Sequence, residues 1–368
     1  NYHLPSAYNF NTFKKINDMN NTAYIDVFCS FLFGQLTYDK INPSFPLYYG
    51  SVNGIGEYKY DITEEYHDIK IDKCFNEMIN KAFTLEVYVS DDESDNESNE
   101  ESDNELNEKS DNESNEESDK ESNEESDKES DDELNKKNKI KNISNKSSKS
   151  SKSYYNEDYI TKINNIPIQY LFIEKLKDTL EDLINENISE GVLLSCFFQI
   201  SFALIYLQKY FKFTHNDLHI NNVMYNETET KYLYYKYNNI YYRVPTYGKI
   251  FKIIDFGRAI FTYHNKIFMN DVFSHYGEAG GQYTYPSQVD FMIEKEKEII
   301  KPNYNFDLCR LSMTILEELN KDNYSDEFIL FLENMCLNHE KQSFCELRDD
   351  FKLYINIARD ACNSLPRE

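Results

Sequence analysis

The sequence has no tryptophan, only 10 glycines and 8 prolines in 368 residues, and no glycine before Gly34. A glycine-rich phosphate loop is therefore missing from the first 33 positions. Seven cysteines are present, yet none forms a Cys-x-x-Cys pair or a Cys/His spacing that suits zinc. They read as scattered reduced thiols of an intracellular protein. Long apolar runs are also lacking, and no signal peptide is expected. The best candidate, 192–207, is broken by Ser195, Cys196, Gln199 and Ser201. It falls short of the roughly 20 apolar residues of a membrane span and reads as a buried core helix. Positive charge is the minority: 39 Lys and Arg against 65 Asp and Glu give a net charge of −26. No membrane and no direct nucleic-acid binding is expected.

The acid is concentrated. Residues 91–135 hold 23 acids and 3 Lys, leaving the rest of the chain only mildly acidic at −6. Ser94 to Glu133 is five tandem octads of the type SDNESNEE. A polar repeat this short cannot stack as a solenoid and is expected to be disordered. Seven Lys among Ser and Asn follow over 136–152. The tract reads either as an inert expansion or as bait for basic, histone-like partners through electrostatic steering.

The chemistry-bearing signal is His215-Asn-Asp-Leu-His-Ile-Asn-Asn222, followed 33 residues later by Asp255-Phe-Gly257. A carboxylate and a carboxamide five residues apart let one loop offer a base and a hard oxygen ligand side by side. Asp255 follows the apolar pair Ile253-Ile254, which reads as a short buried strand delivering a second oxygen ligand. The two stretches resemble the catalytic loop and the metal-binding motif of protein kinases. By that resemblance Asp217 is the base that accepts the hydroxyl proton. Asn222 and Asp255 hold the magnesium ion of ATP. Upstream, Gln169–Leu176 resembles the kinase hinge, with Ile173 as gatekeeper and the backbones of Glu174 and Leu176 at the adenine.

Further stretches sharpen the resemblance: Thr214–Val223, Val244-Pro-Thr-Tyr-Gly248, and Asn305-Phe-Asp-Leu-Cys-Arg-Leu311. Together they are similar to the haspin group of atypical Ser/Thr kinases and the haspin-like kinases of large DNA viruses. The likeness spans about 140 residues, from Gln169 to Leu311, and like those kinases the chain has no Ala-Pro-Glu segment after Asp255. It implies an α+β, two-lobed kinase-like fold, with a β-rich N-lobe and a mainly helical C-lobe. Asp307 would anchor the catalytic loop from a central helix. Asn216 stands where most kinases carry the Arg that pairs with a phosphorylated activation loop, so that route of control is not expected. His219 stands where a phosphate-contacting Lys is usual, a substitution shared with aminoglycoside and choline kinases, so small-molecule phosphorylation stays open. The abundance of Tyr, Asn, Ile and Lys fits AT-rich coding DNA of a large virus or a protist. Cytoplasm or nucleus of a host cell would then be the location.

The N-terminal part departs from the family. The simplest parse makes 23–38 the regulatory helix, with Asp26 in place of the usual Glu and Lys14 or Lys15 as the nucleotide-contacting Lys. The phosphate-loop glycines would then lie before Asn1 or be absent. A rival parse uses Gly50, Gly54 and Gly56 with Lys70 and Glu77, but that glycine stretch reads better as a hairpin turn. The expected domains are an N-lobe part over 1–90, the repeat and linker over 91–153, the end of the N-lobe and hinge over 154–176, and a C-lobe over 177–368. Arg258 to Lys301 is expected to cross the site as a glycine-flexible segment, its Asp271 and Glu278 favouring a basic peptide. Helical spacing of Phe328, Leu330, Phe331 and Met335 closes the C-lobe. Activity as a monomeric protein kinase on a basic protein substrate is the leading expectation. A pseudokinase scaffold is the principal alternative.

Overall fold

The computed structural model describes residues 16–90, 156–290, 298–347 and 350–367. Lys14, Lys15, the acidic octads and the Lys-rich linker lie outside the described residues. The chain is a mixed α+β structure built on small sheets. Two compact units divide it: residues up to Gly54 together with those from Pro167 onward, and residues between Ile55 and Ile166. In chain order the elements are α1 (Thr22–Tyr38), β1 (Tyr48–Asp61), α2 (Tyr66–Ile69), α3 (Lys73–Met78), β2 (Thr84–Ser90) and β3 (Asn156–Ile173). Then come β4 (Asp178–Thr179), α4 (Leu180–Asn185), α5 (Glu190–Phe211), β5 (Val223–Glu227), β6 (Tyr232–Tyr237), β7 (Ile240–Pro245) and β8 (Lys249–Ile253). The last are β9 (Ile260–Tyr263), β10 (Lys266–Met269), α6 (Phe306–Glu318), α7 (Asp326–Met335) and α8 (Asp350–Asp360).

The smaller unit is an antiparallel ribbon in which Thr84–Ser90 pairs with Asn156–Lys162. Lys162 bridges Glu57 at 2.7 Å and Glu86 at 3.8 Å on its flanks. Gly50, Gly54 and Gly56 all fall inside the single 14-residue strand β1, so the hairpin turn expected there is not formed. Residues 66–69 are helical, which leaves the rival parse without its strand at Lys70.

The larger unit is organised around α5. Leu193, Cys196, Ile200, Ala203, Leu204 and Leu207 are fully buried. By length and composition this helix could cross a membrane, but over half of its most apolar window is covered by the rest of the protein. Its polar interruptions have a purpose. Ser195 Oγ donates to the Pro245 carbonyl at 2.6 Å, and Gln199 accepts the Phe251 N–H at 2.9 Å. The side chains that weaken a membrane reading thus hold β7 and β8 in place, and β8 leads to Asp255.

Strands β4, β5 and β8 form one sheet, with Val223 opposite Ile253. The β6–β7 hairpin turns on Asn238 and Asn239 at φ 48° and 63°. Asn-Asn tolerates this left-handed pair, which suits the right-handed twist of a hairpin. A second hairpin, β9–β10, turns on His264 and Asn265 at φ 45° and 61°. Phe261, Tyr263 and Phe268 pack around Phe28 of α1, ring centroids 5.3–5.9 Å apart. The segment after Asp255 therefore opens as an anchored hairpin, not a flexible loop. Gly277 serves packing too: a Cβ there would lie 2.2 Å from the Val272 carbonyl. At the C-terminal end α7 forms as expected, but its buried face is Phe328 and Leu332, while Leu330 and Phe331 are exposed.

Candidate active site

The loop from Phe213 to Asn222 is pinned from below. Asp307, in the first turn of α6, is fully buried and accepts the His215 N–H at 2.9 Å and the Asn216 N–H at 2.9 Å. Burial pushes its carboxyl above the usual range, and His215 and the two amides pull it back. This is the anchoring role the kinase resemblance gave to Asp307. Asn216 itself is fully buried at φ 64°. Its Nδ2 donates to the Thr214 hydroxyl at 3.1 Å and to the Arg258 carbonyl at 3.1 Å, while its Oδ1 accepts the Tyr283 hydroxyl at 2.9 Å. One neutral carboxamide joins the loop to the segment beyond Gly257.

At the far end the two motif halves meet. The Ile254 N–H donates to the Asn222 carbonyl at 3.1 Å, the last rung after the β5–β8 ladder. Asn222 Nδ2 donates to the Asp217 carbonyl at 2.8 Å and lies 3.1 Å from His219 Nε2. Among the described residues Oδ1 of Asn222 takes no hydrogen bond. His219 Nδ1 faces the Asn221 N–H at 3.3 Å. Burial holds the imidazole below its usual value, with Arg310 and His215 acting in the same direction, despite the nearby Asp217 and Asp255. His219 is a neutral brace for Asn222 in this arrangement.

Asp255 adopts φ 59°, a strained conformation for a residue with a Cβ. Such strain clusters where side-chain aim matters more than backbone comfort. Its Oδ1 accepts the Gly257 N–H at 3.2 Å, and a Cβ on Gly257 would crowd Oδ1 at 3.2 Å and Thr22 Cγ2 at 2.9 Å. Phe256 is buried against Phe33, Phe213 and His215, and its N–H donates to Asp26 Oδ1 of α1 at 2.9 Å. Burial, reinforced by Asp255, raises the Asp26 carboxyl. The helix expected over 23–38 forms and brings Asp26 to the motif. Lys15 lies outside the described residues.

Ile173 and Glu174 are half-buried and Leu176 is buried. The Glu174 N–H is taken by the Leu47 carbonyl at 2.8 Å. Among the described residues its carbonyl and the amides of Lys175 and Leu176 take no main-chain hydrogen bond. The Glu174 side chain was not expected to matter, yet it is a hub. It accepts Leu47 N–H at 3.0 Å and Asn226 Nδ2 at 2.7 Å, and pairs with Lys252 at 3.1 Å. The alternation of Lys252 with Phe251 and Ile253 in a buried strand was the available signal for this pair.

A cavity of about 260 Å³ opens beside Asp217, lined also by Arg258, Glu278, Gln282 and Tyr354. Arg258 bridges Asp217 at 3.9 Å and Glu278 at 3.2 Å. Gln282 is buried, and its Nε2 has no partner among the described residues. Tyr354 of α8 donates its hydroxyl to Asp217 Oδ1 at 2.8 Å. Sequence reasoning missed Arg258, Gln282 and Tyr354, because none stands in a spaced motif.

No protein-family model matches this chain, and no curated protein sequence matches it.

Proposed function

We propose that the chain is an ATP-dependent Ser/Thr protein kinase of haspin-like type, with the two-lobed fold that this implies. The observation that carries the reading is the rung from the Ile254 N–H to the Asn222 carbonyl. It ties Asn222 to the residue before the strained Asp255, with Asp217 five residues back on the same braced loop. Asn222 Oδ1 and the Asp255 carboxylate are hard oxygen donors, which fit magnesium. Magnesium ATP, when bound, supplies the phosphoryl group. Asp217 accepts the hydroxyl proton, and the free carbonyl of Glu174 and amide of Leu176, behind Ile173, suit an adenine edge. Neutral bonds from Asn216 order the following segment without a phosphorylated residue. A basic, histone-like protein is the favoured substrate class, drawn by Glu278 and by the charge of the octads. The intracellular, monomeric state belongs to the same proposal.

The test is phosphate transfer from radiolabelled ATP with magnesium to histones or casein, wild type beside Asp217→Ala. Labelling that disappears in the variant is expected. Equal labelling in both, or none from either, would sink the reading; ATP binding without transfer would favour the pseudokinase alternative.

A further inference from the structure

Tyr354 stands where a substrate hydroxyl belongs. Its Oη lies 2.8 Å from Asp217 Oδ1 with the phenol as donor, the relation a base needs to the proton it removes. The ring is held on three sides. Arg258 and Arg310 lie with guanidinium carbons 5.8 and 5.5 Å from its centroid, and Phe306 packs at 5.7 Å. Arg310 Nε also reaches Oη at 3.4 Å. Burial and the adjacent Asp217 keep the phenol protonated, so a base is required to use it as a nucleophile. One arginine at the hydroxyl and a second at the ring supply the positive charge that stabilises a phosphate ester.

We infer that Tyr354 is an intramolecular phosphoacceptor: the chain phosphorylates its own C-terminal helix at this hydroxyl. The inference rests on the kinase reading above. Oη attacks the γ-phosphorus of ATP, the bond from that phosphorus to the β,γ-bridging oxygen breaks, the Oη proton passes to Asp217, and ADP leaves. Tethering explains how a site that resembles Ser/Thr kinases can take a phenol. A hydroxyl already in place enjoys an effective concentration on the order of 10⁵ M or more in well-oriented cases, which outweighs poor fit. The product places a dianion against the Asp217 carboxylate. Repulsion then breaks the Tyr354–Asp217 tie and frees the cavity for other acceptors, with Arg258 and Arg310 receiving the phosphate.

The experiment incubates the full chain with labelled ATP and magnesium, with and without casein, and maps the label by mass spectrometry across a dilution series. Label on Tyr354 is expected, at a rate independent of protein concentration. It should be absent in Asp217→Asn and in Tyr354→Phe, which keeps the ring and its packing and removes only the hydroxyl. Casein labelled while Tyr354 stays unmodified would overturn the inference and leave the kinase reading standing. A rate that rises with protein concentration would overturn it too, by showing transfer between copies. No label on any acceptor would remove the kinase reading, and this inference with it.

Discussion

Lys252 Nζ lies 3.1 Å from Glu174 Oε2, with the lysine side chain only 5 % exposed. The same ammonium donates to the carbonyls of Pro43 at 3.0 Å and Phe45 at 2.9 Å. Three donors meet three acceptors, so the buried charge is satisfied. This joins the turn before β1 to the turn after β3 and to β8, which leads to Asp255.

Removing one partner of a buried pair leaves the other uncompensated and destabilises by about 3–5 kcal/mol. Lys252→Met should fall in that range by urea denaturation, because it also strands two carbonyls. Glu174→Gln should lose less, since Glu174 is one-fifth exposed and Gln can still accept the Leu47 N–H. In a double-mutant cycle the two changes should couple strongly; additive losses would show that the pair does not act as a unit.

Asp26 predicts a trade of stability for function. Its carboxyl is raised above 3.8 mainly by burial, with Asp255 adding and His215 and the Phe256 N–H opposing. An acid whose folded value is raised favours the fold most when protonated, and that contribution is lost as pH rises through the folded value. Asp26→Asn keeps an acceptor for the Phe256 N–H and carries no charge to desolvate. The two proteins should therefore melt alike near about pH 4. The variant should melt higher at neutral pH while losing phosphate transfer. A variant less stable than wild type at neutral pH would refute the burial argument.

What could be read from the sequence was local chemistry at fixed spacing. The 215–222 loop, the Asp255 turn, the buried helix around Leu193–Leu207 and Asp307 at a helix start are each set by a few neighbouring residues. The structure brings all of them to one place. What could not be read depends on contacts distant in sequence. Tyr354 meets Asp217 across 137 positions, and Lys252 meets the Pro43 carbonyl across 209. Glycine misled in both directions. Gly50, Gly54 and Gly56 sit in a strand, and Gly277 is demanded by a close carbonyl, not by mobility.

Magnesium should govern nucleotide binding through Asn222 and Asp255. With both present, saturating ATP should stabilise the protein, by about 2.7 kcal/mol at a hundredfold excess over Kd. EDTA should remove most of that gain in wild type. Asn222→Ala and Asp255→Ala should respond to ATP equally weakly with or without magnesium, read as thermal shift. A full magnesium-dependent shift in either variant would take that residue off the metal.

Asn216 offers the cleanest separation of backbone strain from bonding. Asn216→Ala leaves the Tyr283 hydroxyl and the Arg258 carbonyl without their partner and forces alanine into φ 64°. Each orphaned buried group costs about 1–3 kcal/mol. The left-handed backbone adds roughly 1 kcal/mol for a residue that has a Cβ and no side-chain bond to offset it. Asn216→Gly loses the same partners but relaxes the backbone, so it should be the milder change by about 1 kcal/mol in denaturant midpoint analysis. Both should slow phosphate transfer, because Asn216 ties the catalytic loop to the segment that carries Arg258. Equal destabilisation by alanine and glycine would mean that the left-handed turn carries no strain, and that the hydrogen bonds alone hold the loop.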